Sequence, residues 1–298
     1  MTSSPKPSAV QTLSPKDLSR ALGVGESSVK RWIDGGQLPA AKTAGGHRRI
    51  ELVDALRFIR DGRRQVADPS LLGLDIPQGL DLGDADAVRA EYIEALERGD
   101  QDETTSIACQ LAALGGDVPA VLDDPVWASF RDIRGRCTHP SEECVTLHRS
   151  QANCIAAARR LKELATPAAD SAPIGLCLDI GYEIDGMGAH LAETVFAHAG
   201  FRTHQAGHGV PKEIACGSIV RVKPDVVWLS ANGAHQADLK IVEATAQQVA
   251  TQAARYGSRL IVSGDAMPDR RVFADDVTEV ASMSEFAAFL AGFERSGS

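Results

Sequence analysis

The stretch IGLCLDIGYEIDGMGAHLAETVF, residues 174–196, decides how the C-terminal part of the chain folds. It opens with an apolar run, passes through the loop GYEIDGMG and continues into a helical pattern. An apolar strand that leads through a loop into a helix is typical of one unit of a parallel sheet covered on both faces. Ligands in such sheets bind beyond the carboxyl ends of the strands, so this loop is a candidate binding site.

Further apolar runs follow toward the C-terminus, and helical stretches separate most of them. Apolar strands that alternate with helices predict an α/β domain of the Rossmann-like or flavodoxin-like class over residues 172–298. Trp228 lies inside one of the runs, and we expect it in the core. The runs are FRTHQAG (201–207), DVVWLSAN (225–232), RLIVSG (259–264) and the weaker RRVFADD (270–276).

The middle of the chain, residues 82–167, carries successive helical patterns and predicts a helical bundle. Two stretches with little periodicity are interpreted as linkers: DGRRQVADPSLLGLDIPQGLDLGDAD (61–86) and ATPAADSAP (165–173). The expected core positions of the bundle are Leu96, Ile107, Leu111, Leu114, Val126, Phe130, Ile133, Val145, Cys154, Ile155 and Leu161.

The N-terminal region, residues 1–65, has the pattern of two short helices around a tight turn in LSPKDLSRALGVGESSVKRWIDGGQLP (13–39). Ser14 can cap the first helix. Gly23 permits the turn, and Gly35 ends the second helix. This is a helix-turn-helix pattern, which places its second helix in the major groove of DNA.

The residues expected to contact DNA lie on the outer face of that second helix and on the segment that follows it. KTAGGHRRI (42–50) has two glycines for a tight turn, then a histidine and two arginines. Hydroxyls and cations can meet phosphates and base edges, and adjacent arginines can clamp a backbone or enter a minor groove. The candidates are Ser27, Ser28, Lys30, Arg31, Lys42, His47, Arg48 and Arg49.

Charge is distributed unevenly along this chain of 298 residues, whose formal net charge is −9. Residues 1–65 hold 12 Lys or Arg and 6 Asp or Glu, a net +6. The remainder holds 19 basic and 34 acidic residues, a net −15. A basic head on an acidic body predicts that double-stranded DNA binds at the head alone.

Composition argues against several other classes of protein. No apolar run approaches the ~20 residues of a membrane helix, and the start MTSSPKPSAV lacks the apolar core of a secretory signal. The six cysteines include no C-x-x-C pair, which fits a cytoplasmic protein without a zinc site or disulfide framework. No Ser-His-Asp constellation, Walker loop or H-E-x-x-H motif supports an enzyme.

Residues 11–62 closely resemble the winged helix-turn-helix of the MerR superfamily, in which T-x-G-G-H-R-R-[IY] forms the wing. The order of winged helix, helical bundle and α/β domain resembles the light-responsive, cobalamin-dependent repressors of the CarH and LitR kind. The bundle and α/β pair also resembles the cobalamin module of methionine synthase and corrinoid proteins. One small winged helix offers a limited interface, so we expect a homodimer that reads two half-sites.

The resemblance implies a corrinoid socket, but this chain differs at its central position. The family motif D-x-H-x-x-G falls on Glu183, Asp185 and Gly188, so an aspartate stands where the family has the cobalt-ligating histidine. A carboxylate is a poor match for that role, because cobalt favours the imidazole nitrogen. The other positions implied are Cys137, Leu147 and His148 for the bundle motif W-x9-E-H, and Ser230 and Gly264 for the motifs S-x-L and G-G.

These differences predict that the domain does not bind cobalamin in the family's mode. Heme or another tetrapyrrole stays open, with Cys137, His148, His204 and His208 as candidate ligands and His148 as a candidate metal ligand. Redox sensing through Cys137 also stays open.

The sequence therefore favours a DNA-binding transcriptional repressor whose C-terminal part senses another signal or a protein partner. One alternative is a light- or redox-responsive regulator that binds cobalamin, heme or another tetrapyrrole. A second alternative, from a different class, is a corrinoid carrier for methyl transfer or isomerisation. The winged helix and the missing histidine both oppose the carrier.

Overall fold

The computed structural model shows a basic head, a helical bundle and an α/β domain, in that order along the chain. This order confirms the predicted multidomain architecture. The residues that the structure describes are 12–72, 74, 77, 79–114, 116–137, 143–181, 186–232, 238–273 and 277–294.

The head combines short helices with a small antiparallel sheet. Its elements are β1 (Thr12–Leu13), α1 (Pro15–Ala21), α2 (Glu26–Asp34), β2 (Ala41–Lys42), β3 (Arg48–Glu51) and α3 (Leu52–Asp61). Ser14 caps α1, since its hydroxyl accepts the backbone N–H of Asp17 at 3.1 Å. Gly23, at φ +64°, makes the turn into α2, and Gly35 ends that helix. The predicted helix-turn-helix is thereby confirmed.

The bundle packs its helices around buried apolar side chains. Its elements are α4 (Ala85–Arg98), α5 (Gln101–Ala113), α6 (Val118–Val121), α7 (Ala128–Arg136) and α8 (Glu143–Glu163), with an irregular helical segment, Leu122–Trp127, between α6 and α7. Most of the predicted core positions are buried or half-buried. The prediction was wrong for Leu114 and Val145, which are 46% and 67% exposed. Both lie at helix ends, outside the stripe that faces the core.

The α/β domain is a parallel sheet with helices on both faces. Its elements are β4 (Ile174–Asp179), α9 (Met187–His198), β5 (Arg202–Gln205), α10 (Lys212–Val222), β6 (Val226–Ser230), α11 (Leu239–Arg255), β7 (Arg259–Ser263), β8 (Val277–Glu279) and α12 (Met283–Ala291). Among the described residues the strand order is β5-β4-β6-β7-β8. This is the flavodoxin-like order, and its switch point lies between β4 and β6.

Alternate residues of each strand enter opposite cores. Cys177, Trp228 and Ile261 face the core that also contains α9, α12 and the bundle. Their neighbours Leu176 and Val227 face a second core beneath α10 and α11. Because successive strand side chains point to opposite faces, apolar residues at both parities bury both faces of the sheet. Trp228 is 1% exposed, which confirms its predicted place in the core.

The head packs directly against the other two parts. Arg57 of α3 donates to the carbonyl oxygens of Glu163 and Leu164 at the end of α8. Arg60 of α3 lies 3.4 Å from Nδ1 of His198 at the end of α9. One apolar cluster runs from the head through the bundle to the near face of the sheet. Polar and apolar contacts therefore both join the head to the rest of the chain.

One sequence prediction missed buried residues, and another was wrong. The stretch predicted as the first linker contains a 3₁₀ turn, Pro69–Leu72, and its Leu72 and Leu74 are buried. Two leucines there contribute apolar area that the lack of periodicity did not indicate. The run predicted as a fifth strand, RRVFADD, begins with another 3₁₀ turn, Arg270–Val272. The fifth strand is β8, which follows that run.

Candidate functional site

The outer face of α2 carries polar side chains, as predicted. Ser27, Lys30 and Arg31 are exposed and Ser28 is half-buried, whereas Val29 between them is completely buried. Lys30 forms an ion pair of 2.8 Å with Glu26, one turn earlier in the same helix. Exposed pairs of this kind contribute little stability, so Lys30 can exchange its partner for a phosphate at small cost.

The predicted wing is a hairpin between β2 and β3. Its turn is closed by the backbone N–H of Thr43, which donates to the carbonyl oxygen of His47 at 2.9 Å. Gly46 sits at φ +79° in this turn, a conformation that favours glycine. Arg48 is ion-paired with Asp34 at the end of α2, and Arg49 is exposed. Arg48 therefore contacts the second helix, while Arg49 faces solvent.

A basic cleft of about 450 Å³ lies between the wing and the first turns of α1 and α2. Its lining brings together five of the predicted DNA contacts, but not Ser27, Ser28 or Arg31. Sequence reasoning missed Lys16, although a cation in the first turn of a helix-turn-helix indicates this position. The cleft is lined by Ser14, Pro15, Lys16, Glu26, Lys30, Lys42, Gly46, His47, Arg48 and Arg49.

A second cavity, of about 540 Å³, lies between the bundle and the carboxyl ends of the strands. It receives Ser230 from the end of β6 and Gly188 from the first turn of α9. These two residues flank the switch point of the sheet, where ligands of this fold class bind. The rest of the described lining is Asp123, Trp127, Arg131, Arg134, Gly135, Leu191, Trp228, Asn232, Ser263, Gly264, Asp265, Glu279, Val280, Ala281, Ser282 and Met283.

A buried polar cluster contacts Ser230 of this cavity. Asp179, the last residue of β4, is 1% exposed and accepts the Ser230 hydroxyl at 3.0 Å. It also accepts the backbone N–H of Gly181 at 3.0 Å and lies 3.2 Å from Nδ1 of His208. These contacts satisfy a carboxylate that would otherwise be costly to bury. Sequence reasoning missed Asp179, although a lone carboxylate inside an apolar run was the available indication.

The cavity wall carries polar groups that suit a ligand. The indole Nε1 of Trp228 is buried without a hydrogen-bond partner among the described residues. Arg131 is exposed at the wall and forms no ion pair with another described residue. Arg134 lies 3.7 Å from Asp265 across the cavity. An unpaired buried donor and a nearby cation can recognise a planar molecule with an acceptor atom and an anionic group.

Two glycines at the cavity are explained by packing within the protein. A Cβ at Gly264 would lie 2.1 Å from the carbonyl oxygen of Ala231, and Gly264 adopts φ +114°. A Cβ at Gly188 would lie 3.3 Å from the Ser230 hydroxyl. Gly264 lets its loop approach β6 closely, and Gly188 does the same for the first turn of α9.

The predicted ligand residues divide into three groups. Gly188, Ser230 and Gly264 come together at the cavity. Glu183 and Asp185 lie outside the described residues. The others do not line the cavity: Cys137 ends α7, His148 is exposed on α8 and His208 packs against Gly186.

The described residues of the cavity do not fit a corrinoid held by a protein imidazole. Its described lining contains no histidine and no cysteine. No cluster of three or more His, Cys, Asp or Glu side chains that could hold a metal occurs among the described residues. Imidazole and thiolate are common ligands of cobalt and heme iron, and the described lining of this cavity supplies neither.

Comparison with known families identifies the head. Residues 12–63 match the family described as "Helix-turn-helix domain". No curated protein matches the chain. Across the described residues, every helix is too short or too polar to cross a membrane.

Comparison with solved structures identifies the fold of the other two parts. The monomethylamine corrinoid protein of Methanosarcina barkeri is 13% identical, with a TM-score of 0.53 over 70% of this chain and 98% of that one. The methanol:cobalamin methyltransferase complex of the same organism is 14% identical, with a TM-score of 0.35 over 90% and 93%. A cobalamin-binding protein of Desulfitobacterium hafniense DCB-2 is 15% identical, with a TM-score of 0.33 over 68% and 97%. The chain thus joins a helix-turn-helix domain to a fold like that of the monomethylamine corrinoid protein.

Proposed function

We propose that this chain is a transcriptional regulator, a repressor of the MerR superfamily similar to the CarH and LitR kind. The observation that carries the proposal is the basic cleft, in which Lys16, Lys30, Lys42 and Arg49 converge beside the outer face of α2. Phosphates bind along the cleft while α2 enters the major groove. The net charge of −15 on the remainder of the chain keeps DNA away from the body.

The test is the salt dependence of DNA binding. Anisotropy titrations with a mixed-sequence duplex should show that Arg49→Ala weakens binding and reduces the slope of log K against log[salt] by about one unit, because one phosphate contact is lost. Arg221→Ala removes an exposed arginine from α10 and should leave the slope unchanged. Equal slopes for the parent protein and Arg49→Ala would exclude the wing from the interface.

We also propose that two chains bind one operator. A single head contacts few base pairs, whereas a two-fold dimer reads two half-sites. The dimer is held through the bundle or the α/β domain rather than the head. Light scattering of the complex with a selected operator should give two chains per duplex, and one chain per duplex contradicts the proposal.

We further propose that the cavity beside the switch point receives the signal. Its volume of about 540 Å³ falls within the usual range for small-molecule sites. The ligand is not cobalamin bound in the family's mode, because Asp185 replaces the histidine and the described lining supplies no imidazole. Titration with adenosylcobalamin in the dark should leave its absorption bands unchanged and should not alter DNA affinity. Stoichiometric uptake would instead support the corrinoid-carrier or cobalamin-photoreceptor alternatives.

A second candidate function is a regulator that binds heme or another tetrapyrrole outside this cavity, and His208 favours it. Its Nδ1 faces the carboxylate of Asp179 at 3.2 Å. A carboxylate behind the imidazole is the arrangement found at many metal-ligating histidines. Addition of hemin should then give an absorption band of histidine-ligated heme that His208→Ala abolishes and His204→Ala retains. The same band in all three proteins would exclude His208 as the ligand.

A further inference from the structure

Two cysteines lie in contact at the junction of α7 and α8. Cys137 is the C-cap residue of α7, and Cys144 is in the first turn of α8. Their Sγ atoms are 3.3 Å apart, and both residues are half-buried. A disulfide bond is about 2.05 Å long, so the two sulfurs need to approach by only about one ångström to bond. Small rotations of two side chains supply a movement of that size.

The other four cysteines do not share these properties. Burial raises the pKa of Cys109 to about 12 and raises the pKa of Cys154 and Cys177 above their ordinary values. Burial, aided by Glu213, also raises the pKa of Cys216. Because the thiolate is the reactive form, these four thiols react slowly with oxidants.

The polarity of the two helices favours oxidation at Cys144. Cys144 lies at the N-terminal end of α8, a helix of 21 residues. The aligned peptide dipoles at such an end stabilise a thiolate. Cys137 lies at the C-terminal end of α7, where the dipole has the opposite sign. The two cysteines are therefore suited to different roles, with Cys144 attacked by the oxidant first and Cys137 resolving the product.

We propose that Cys137 and Cys144 are a reversible dithiol that hydrogen peroxide converts to a disulfide. The Cys144 thiolate attacks a peroxide oxygen, the O–O bond breaks, and the second oxygen leaves as water after protonation, which gives a sulfenic acid. The sulfur of Cys137 then attacks the sulfenic sulfur. The S–S bond forms, the S–O bond breaks, and the Cys137 proton and the hydroxyl group leave as water. In sum, two thiols and one hydrogen peroxide give one disulfide and two waters.

The position of the pair connects two parts of the molecule already described. Arg131, Arg134 and Gly135 of α7 line the cavity between the bundle and the sheet. The far end of α8 accepts hydrogen bonds from Arg57 of the head. A disulfide between Cys137 and Cys144 joins these two helices at their junction. The modification itself does not depend on the proposed function, because its detection requires neither DNA nor a ligand.

The test uses the full chain, reduced and then exposed to stoichiometric hydrogen peroxide. Cleavage after Arg136 and Arg149 releases one peptide, residues 137–149, that contains both cysteines. After oxidation this peptide should be two hydrogen masses lighter and should resist alkylation until dithiothreitol is added. Cleavage after Glu143 should leave its two halves joined only without reductant. The pair should oxidise at least about tenfold faster than Cys109 or Cys216.

Single variants distinguish the two roles. In Cys137→Ser, peroxide should leave a sulfenic acid on Cys144 that dimedone traps. In Cys144→Ser, dimedone labelling of Cys137 should be several-fold weaker. Cys216→Ser is the matched control, since it removes one half-buried thiol elsewhere and should leave disulfide formation unchanged.

Three results would overturn the proposal. One is oxidation of residues 137–149 at no more than the rate of Cys216. Another is conversion of either cysteine to sulfinic acid without an S–S bond. The third is a purified protein whose two thiols become reactive only after a chelator removes zinc, because the pair would then be part of a metal site.

Discussion

Gly264 holds a backbone conformation that other residues adopt only at a high cost. It sits at φ +114°, and a Cβ there would lie 2.1 Å from the carbonyl oxygen of Ala231. The obstacle is backbone rather than a flexible side chain, so it cannot move without disturbing the end of β6. Gly264→Ala should therefore lower the free energy of unfolding by about 3 kcal/mol or more, from backbone strain and from the clash together. Urea denaturation measures this loss.

Gly257 provides the matched control for this substitution. It also has a positive φ, +71°, but a Cβ there meets nothing within 4 Å. Gly257→Ala should cost only about 1 kcal/mol, the strain of a left-handed residue alone. Similar losses at both positions would mean that the approach to Ala231 is not tight.

Asp123 joins two structural elements that belong to different domains. Its carboxylate accepts the backbone N–H of Met283 at 2.7 Å and of Ser284 at 2.9 Å, so a bundle residue caps α12 of the α/β domain. Hydrogen bonds to a charged group at a helix N-terminus are stronger than neutral ones. Asp123→Ala should therefore cost about 2–3 kcal/mol in denaturant unfolding.

The comparison for Asp123 is the local cap of the same helix. Ser282 caps α12 through its hydroxyl, which accepts the backbone N–H of Glu285 at 3.1 Å. Ser282→Ala should cost about 1 kcal/mol, the usual loss for an N-cap. If Asp123→Ala costs no more than Ser282→Ala, the bundle contributes nothing beyond an ordinary cap.

At this scale, the elements that follow from local rules were predictable. The capping box at Ser14, the turn at Gly23 and the hairpin at Gly46 each depend on a few neighbouring residues. The apolar runs of β4 and β6 were equally clear. The prediction of a strand at the weak run RRVFADD was wrong. Its arginines gave no indication that the paired segment follows the run. The observed strand, β8, begins at Val277 and pairs with β7. This pairing depends on the position of β7 and not on the local sequence.

The candidate sites were less predictable than the elements, because they join distant segments. Gly188, Ser230 and Gly264 were identified through motifs and do meet at the cavity. Lys16 in the basic cleft and Asp123 at the cavity belong to no motif. Their roles depend on how helices from different parts of the chain pack together, which local patterns do not encode.

At the scale of the whole molecule, His198 joins all three parts. Its Nε2–H donates to the carbonyl oxygen of Leu161 in α8 at 2.8 Å, and Arg60 of α3 lies 3.4 Å from its Nδ1. The residue itself ends α9 of the α/β domain. Burial lowers the pKa of His198, and the positive charge of Arg60 adds to this effect, although the Leu161 carbonyl, Asp117 and Asp61 oppose it. A neutral imidazole is therefore the form that fits the junction.

The lowered pKa of His198 makes stability depend on pH in a defined direction. Above the pKa of the unfolded histidine, about 6.5, both states are neutral and the junction contributes fully. As the pH falls through that value toward the lower pKa of the folded state, the unfolded chain takes up the proton first, so stability decreases. We therefore expect the free energy of unfolding to fall as the pH is lowered from about 7 toward the lowered pKa of folded His198.

His198→Gln should reduce this slope, because an amide can donate to Leu161 and accept from Arg60 without titrating. His204→Gln is the control, since His204 is exposed on β5 and its replacement should leave the slope unchanged. Part of the slope should persist in His198→Gln, because burial also lowers the pKa of His190. Urea unfolding at a series of pH values measures this slope for the parent protein and for both variants. A slope that His198→Gln leaves intact would show that protonation at this junction does not govern how the head, bundle and α/β domain hold together.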